Sequence, residues 1–88
     1  MYYMYLLVSK FFPKEIYIGS AKNLITRFGK HNNGEVISTK RYRPWKLLYY
    51  EAYNSEKLAR LREKRLKHNG NAIRELKKRV GLPSTTFS

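Results

Sequence analysis

The longest uninterrupted apolar run in this chain, Met1 to Val8 (MYYMYLLV), limits what the whole sequence can become. It is far shorter than the ~20 residues a helix needs to cross a bilayer. Lys10 and Lys14 follow where the cleavage site of a secretory leader would lie, so we expect no membrane span and a cytoplasmic protein. Rich in tyrosine, leucine and valine, the run reads as a strand. Only 88 residues are present, enough for one compact unit with a single small core. The absence of cysteine excludes disulfides, thiol catalysis and cysteine-ligated zinc, and two lone histidines, His31 and His68, cannot build a structural metal cage. Packing must hold the fold together, and a hydrophobic content of 42% with 15% aromatics argues against a disordered basic tail.

Along the chain, Pro13 breaks the residues after Ser9-Lys10, and Glu15 to Gly19 reads as a second strand in a hairpin with the first. Leu24, Ile25 and Phe28 keep helical spacing, with Asn23 or Ser20 as the cap and Gly34 as the stop. The segment from Glu35 to Pro44, EVISTKRYRP, is basic and without period, which predicts an exposed loop. Trp45 to Tyr53, WKLLYYEAY, reads as a third strand ending at the turn and cap pair Asn54-Ser55. Leu58, Leu61 and Leu66 then mark a second helix up to His68-Asn69-Gly70. Ile73, Leu76 and Val80 mark a third, capped by Asn71 and ended by Gly81. The order predicts an α/β fold with a small three-stranded antiparallel sheet flanked by three helices. Residues 1–80 are expected to form the domain and 81–88 a tail.

Charge points to the partner. Nineteen lysines and arginines against six carboxylates give +13, a field that attracts polyanions and resists self-association, so a monomer that binds nucleic acid is expected. An anionic membrane surface fits less well, because the cations run the length of the chain and do not edge one apolar helix face. All six acids are glutamates. Glu15 and Glu35 fall in turns, Glu56 falls in a first helical turn, and Glu75 can pair with Lys78 or Arg79. Glu63 stands apart as the one carboxylate in Arg60-Leu61-Arg62-Glu63-Lys64-Arg65, with Ala59 leaving space one turn earlier. That place would suit a cation, and an i,i+4 pair with Lys67 is the simpler reading. Eight tyrosines are a second anomaly. Alternation turns Tyr3, Tyr5 and Leu7 to one face of the first strand and Tyr2, Met4 and Leu6 to the other, and Arg27 and His31 share one face of the first helix.

Together these residues form a pattern. Tyr3-Met4-Tyr5, Tyr17-Ile18-Gly19, then Arg27, His31 and Asn32 on a helix and Glu63 on a later one resemble the GIY-YIG nuclease superfamily, most closely its small single-domain bacterial members. The resemblance runs from about Tyr3 to Lys78 and includes Arg43-Pro44-Trp45 and the strand Lys46 to Glu51. Tyr3 and Met4 stand where the family name has glycine and isoleucine. The family's late asparagine corresponds to Asn69 or Asn71.

The resemblance implies a metal-dependent DNA endonuclease of repair or recombination, with Tyr5, Tyr17, Arg27 and His31 as catalytic residues and Glu63 holding one Mg²⁺ or Mn²⁺. A two-metal site would need a carboxylate cluster this chain lacks. Arg27 would stabilise the phosphate, Tyr5 and Tyr17 would orient or deprotonate water, and His31 would assist proton transfer. Lys22, Lys40, Arg41 and Arg43 are expected to contact phosphates. DNA is the expected partner with RNA as a second candidate, and targeting would fall to a partner protein. The alternative from another class is a non-catalytic module binding structured DNA or RNA, against which a carboxylate among phosphate-seeking cations argues. If the site reading holds, Tyr5, Tyr17, Arg27, His31 and Glu63 converge on one concave basic surface.

Overall fold

The structure, a computed structural model, describes residues 1–82. Strands β1 (Tyr2–Ser9), β2 (Ile16–Ala21) and β3 (Trp45–Tyr53) form one antiparallel sheet in the order β2-β1-β3. Helix α1 (Leu24–Asn32) connects β2 towards β3, and α2 (Glu56–His68) and α3 (Gly70–Arg79) follow β3. This is the three-stranded α/β arrangement expected. From position 83 onward, the tail expected over residues 81–88 lies outside the described residues.

The first strand is apolar throughout because it is central and covered on both faces. Met4 and Leu6 meet Ile18, Leu66 and Leu76 on the side of α2 and α3, while Tyr5 and Leu7 meet Leu24 and Trp45 on the side of α1. The alternation read from the sequence is therefore the one the sheet uses. Strand β2 pairs only with β1, so its outer edge is open, and both faces of the sheet can be reached around it.

Local signals fixed the helix starts with one exception. Asn23 caps α1 by accepting from the Thr26 amide, and Ser55 caps α2 by accepting from Leu58. Helix α3 is capped by Asn69, whose side chain accepts from the Asn71 and Ala72 amides, and not by Asn71. Its start thus lies immediately after α2. Two further expectations are corrected. Leu58 and Leu61 are half exposed, and α2 turns Ala59 and Leu66 inward together with Arg62 and Glu63. Polar side chains occupy inward positions there because they bind strand residues, which hides the helix face from a purely apolar reading. The basic segment 35–44 is also not wholly an exposed loop, since it holds a short 3-10 turn (Lys40–Tyr42) and a fully buried Thr39.

Arg62 explains one of these inward positions. Its guanidinium binds both oxygens of Glu51 on β3, at 2.9 and 3.1 Å, and the Tyr49 and Tyr53 hydroxyls donate to the same carboxylate at 2.7 and 2.5 Å. Burial opposes ionisation of Glu51, but the hydrogen bonds from Arg62, Tyr53 and Tyr49 outweigh it and hold the carboxyl below the ordinary range. The network clamps α2 to β3. Among the described residues no helix is long and apolar enough to cross a membrane.

A depressed carboxyl stabilises the fold above its unfolded pKa and loses that contribution as pH falls towards the folded value. Glu51→Gln should therefore lower unfolding stability by about 1–3 kcal/mol at pH 7, the scale of a charge-assisted hydrogen bond. Below the ordinary carboxylate range the gap to the wild-type protein should narrow. Denaturant melts at pH 7 and pH 3 check this, and an equal gap at both would remove the ionised carboxylate from the explanation.

Candidate active site

The site forms where the open edge of β2 meets α1 on one face of the sheet and α2 on the other. Tyr5 lies at the middle of β1, opposite Gly19 of β2, and Tyr17 lies two residues before Gly19 on the same face. A Cβ on Gly19 would stand 2.6 Å from the Tyr5 hydroxyl oxygen, 2.7 Å from its Cζ and 2.9 Å from Tyr17 Cε2. Only a residue without a side chain lets the two rings occupy that space. The ring centroids of Tyr5 and Tyr17 are 6.2 Å apart, and that of His31 is 5.7 Å from Tyr5 and 4.8 Å from Tyr17.

Hydrogen bonding orders these rings. The Tyr5 hydroxyl lies 2.8 Å from His31 Nε2, and His31 Nδ1 lies 2.7 Å from Thr39 Oγ1. Arg27 donates to the Tyr5 oxygen and so turns the Tyr5 hydrogen towards His31, while the Thr39 hydroxyl, with the Val36 carbonyl 3.4 Å away, is left to accept from Nδ1–H. That assigns the tautomer: Nδ1 carries the proton, and Nε2 accepts from the Tyr5 hydroxyl. Burial, and then the positive charge of Arg27, push His31 down to about 4, which keeps the imidazole neutral at pH 7. Tyr5 is pushed up to about 12 by burial, although hydrogen bonding from Arg27 pulls the other way. At rest Tyr5 is therefore an intact phenol. Arg27, four residues before His31, is held in its charged form chiefly by its hydrogen bond to Tyr5.

Glu63 approaches from α2. Its Oε1 accepts from the Ser20 hydroxyl at 2.6 Å and its Oε2 from Lys67 at 2.7 Å. The i,i+4 pair expected from the sequence is thus present, but it does not turn the carboxylate away. The Lys67 ammonium also stands 5.6 Å from the centre of the Tyr17 ring, and the Glu63 charge acts on Tyr5. Arg27 and Ser20 line one groove with Lys22 and Arg60. Tyr5, Tyr17, Arg27, His31 and Glu63 therefore come together around the β2 edge. The four expected phosphate contacts are more scattered. Lys22 lies in that groove and Arg41 stands over the Tyr42 ring, while Arg43 reaches back against Gly34 and Lys40 is exposed on the 3-10 turn.

Thr39, Ser20 and Lys67 escaped the sequence reading. Thr39 had no periodic signal, Ser20 counted only as a helix-cap candidate, and Lys67 appeared only as the partner that would make Glu63 ordinary. Asn32 has an architectural part, since its side chain bonds both the amide and the carbonyl of Trp45, at 2.6 and 3.1 Å, and ties α1 to the start of β3. Asn69 caps α3 while Asn71 accepts from Arg74 at 3.1 Å, so both are engaged within the α3 region.

The donor set limits what could be held here. Among the described residues no three His, Asp or Glu side chains gather at one point, so an all-protein metal cage is not formed. The Glu63 carboxylate is a single, partly exposed, oxygen-only donor with a cation already beside it. An oxygen-only donor of this kind suits one hard divalent ion that retains most of its water, and such an ion would have to take over the place at Oε2 that the Lys67 ammonium holds.

Residues 1–78 match the family model of the GIY-YIG catalytic domain. No curated protein matches the chain.

Gly19→Ala should cost about 1–3 kcal/mol by overpacking and separate the Tyr5 hydroxyl from His31. Denaturant unfolding and the ¹⁵N resonances of the His31 ring report the two effects. An unchanged midpoint with unchanged resonances would mean that the Gly19 position is not sterically closed.

Proposed function

The chain belongs to the GIY-YIG catalytic-domain family, and from that premise we propose that it is a metal-dependent endonuclease acting on DNA, in repair or recombination, with residues 1–80 as the catalytic unit. The observation that carries the reading is the carboxylate of Glu63, bound to Ser20 at the wall of a groove that Lys22, Arg27 and Arg60 also line; the other acid of that groove, Glu56, is paired with Arg60, while Glu63 faces the site with Lys67 at its second oxygen. A surface made only to bind phosphates is weakened by an anion in that place. A surface that hydrolyses them has a use for it.

Each side chain can be given a task. Arg27 binds the phosphate and faces the charge that grows on its oxygens as the bond breaks. Tyr17 would orient the attacking water, a role supported by its half-buried position at the sheet edge beside Arg27. Tyr5 is almost fully buried, its hydroxyl is committed to His31, and it holds Arg27 in position. His31, neutral and with Nε2 as acceptor, can take a proton passed through Tyr5, and Thr39 fixes the ring so that this nitrogen faces the site. Glu63, oriented by Ser20, would hold one Mg²⁺ or Mn²⁺. Such an ion supplies charge neutralisation at the leaving oxygen.

Glu63→Gln keeps the side-chain shape and removes the anion. Cleavage of DNA in Mg²⁺ or Mn²⁺ should fall by several powers of ten, the scale of losing a principal electrostatic stabiliser, while binding stays equal or tightens. Gel assays on duplex, flap, junction and single-stranded substrates measure the first effect and fluorescence anisotropy the second. Absence of any cleavage by the wild-type protein, with Glu63→Gln changing stability alone, would overturn the enzymatic reading. Lys22→Ala should flatten the log-log salt dependence of duplex binding by up to about one unit, with little dependence on sequence.

A further inference from the structure

The tip of the β1–β2 hairpin presents aromatic rings to solvent. Phe11 is 68% exposed and Phe12 50%. Their backbone is nevertheless tied down. Ser9 N donates to the Glu15 carbonyl at 3.0 Å and Glu15 N to the Phe12 carbonyl at 2.8 Å, while Lys10 N reaches the Pro44 carbonyl at 2.9 Å. The Ser9 hydroxyl accepts from the Phe12 amide and donates to the Tyr42 carbonyl, at 3.2 and 2.7 Å, joining the tip to the 3-10 turn. Phe12 then meets the Tyr42 ring edge-on, with centroids 5.2 Å apart. A fixed tip that leaves two phenylalanines in water is costly for solubility and calls for a ligand.

The chemistry around the rings narrows what that ligand can be. Arg41 stands over Tyr42 at 5.4 Å, Lys10 over Phe11 at 5.9 Å, and Phe11, Phe12, Lys14, Arg41 and Tyr42 share one shallow concavity with a single carboxylate, Glu15, so cations outnumber the acid there. Flat apolar faces interleaved with cations complement a polymer that alternates flat bases with phosphates. Bases within a duplex have both faces covered by their neighbours, so only an unpaired base can use the rings. The site and the tip lie along one strand: Glu15 lines the concavity of the tip, Tyr17 is two residues further, and the groove of Arg27 begins at Ser20, five residues from Glu15, about 17 Å at the rise of a strand.

We propose that Phe11, Phe12 and Tyr42 form a stacking platform for an unpaired base of the substrate, a few nucleotides from the phosphate bound by Arg27. This rests on the nuclease reading and adds to it a substrate class: DNA in which a duplex adjoins a single-stranded segment. Lys10, Lys14 and Arg41 hold the backbone of that segment while the rings receive its bases.

The test uses a duplex with a short single-stranded extension carrying the fluorescent base 2-aminopurine, and a blunt duplex for comparison. Wild-type protein should quench the unpaired fluorophore on binding. Phe11→Leu, at a side chain mostly in solvent, should lose that quenching and about 10- to 100-fold of affinity for the extended duplex, with blunt duplex unchanged. Phe11→Trp should retain both, which separates stacking from apolar bulk. Equal affinity of Phe11→Leu and wild type for the extended duplex would overturn the platform. So would an equal loss on both DNAs, or a loss seen only with anionic phospholipid vesicles, which would make the tip a membrane contact. Cleavage in Mg²⁺ is scored on the same preparations. Quenching that depends on Phe11 without any cleavage would retain the platform and refute the nuclease reading, whereas Glu63-dependent cleavage without quenching would do the reverse.

Discussion

The buried hydrogen bond between the Tyr5 hydroxyl and His31 Nε2 joins the central strand to α1, and the arrangement of the site follows from it. Tyr5 cannot turn elsewhere, because Gly19 leaves room for its ring at that one place and Tyr17 closes the other side. His31 cannot turn either, because Thr39 holds its far nitrogen. The loop that supplies Thr39 is in turn fixed by the Trp45 indole, which donates to the Thr39 carbonyl at 2.8 Å, and by Asn32 on the Trp45 backbone. Strand, helix and loop thus share one buried polar chain. Satisfied at each member, such a chain gives rigidity, whereas one missing partner would leave a buried donor or acceptor unpaired at a cost of about 1–3 kcal/mol.

Charge is distributed to match. The protein carries +13, yet the group at the centre of the site is a neutral imidazole, and the charges stand around it: Arg27 beside Tyr5, Lys67 over Tyr17, and Glu63 between Ser20 and Lys67. Burial and Arg27 together keep His31 unprotonated, so its Nε2 lone pair is free to accept the Tyr5 hydrogen bond at pH 7 where an ordinary surface histidine near 6.5 would be partly charged. The cations thus stand on the outside of the site and the neutral groups within it.

Much of this was legible in the sequence. The run Met1–Val8 indicated the strand that proves central, and alternation along it separated Tyr5 from Met4 and Leu6 correctly. The pairing of Arg27 with His31 on one helix face followed from their four-residue spacing. What remained hidden depends on contacts between distant segments. Thr39 lies in a basic stretch without period and is buried only because Trp45 and His31 draw it in. Leu58 and Leu61 looked like the inner face of α2, yet Arg62 and Glu63 take inward positions because Glu51 and Ser20 await them on the strands. The cap of α3 moved from Asn71 to Asn69 because α2 and α3 are nearly continuous. Glu63 with Lys67 shows a different limit, since a spacing that signals an ordinary surface pair also serves a carboxylate that binds Ser20 on β2 and whose charge reaches Tyr5.

The protonation state of His31 tests the arrangement most directly. Long-range ¹H–¹⁵N correlation spectra of the ring distinguish the Nδ1–H tautomer, the Nε2–H tautomer and the imidazolium. Across pH 8 to 5 the structure predicts a single neutral species protonated at Nδ1, with charging only as pH approaches about 4. An imidazolium at pH 6 to 7, or a proton on Nε2, would mean that Tyr5 does not donate to His31, and the chain from Thr39 to Tyr5 would have to be abandoned.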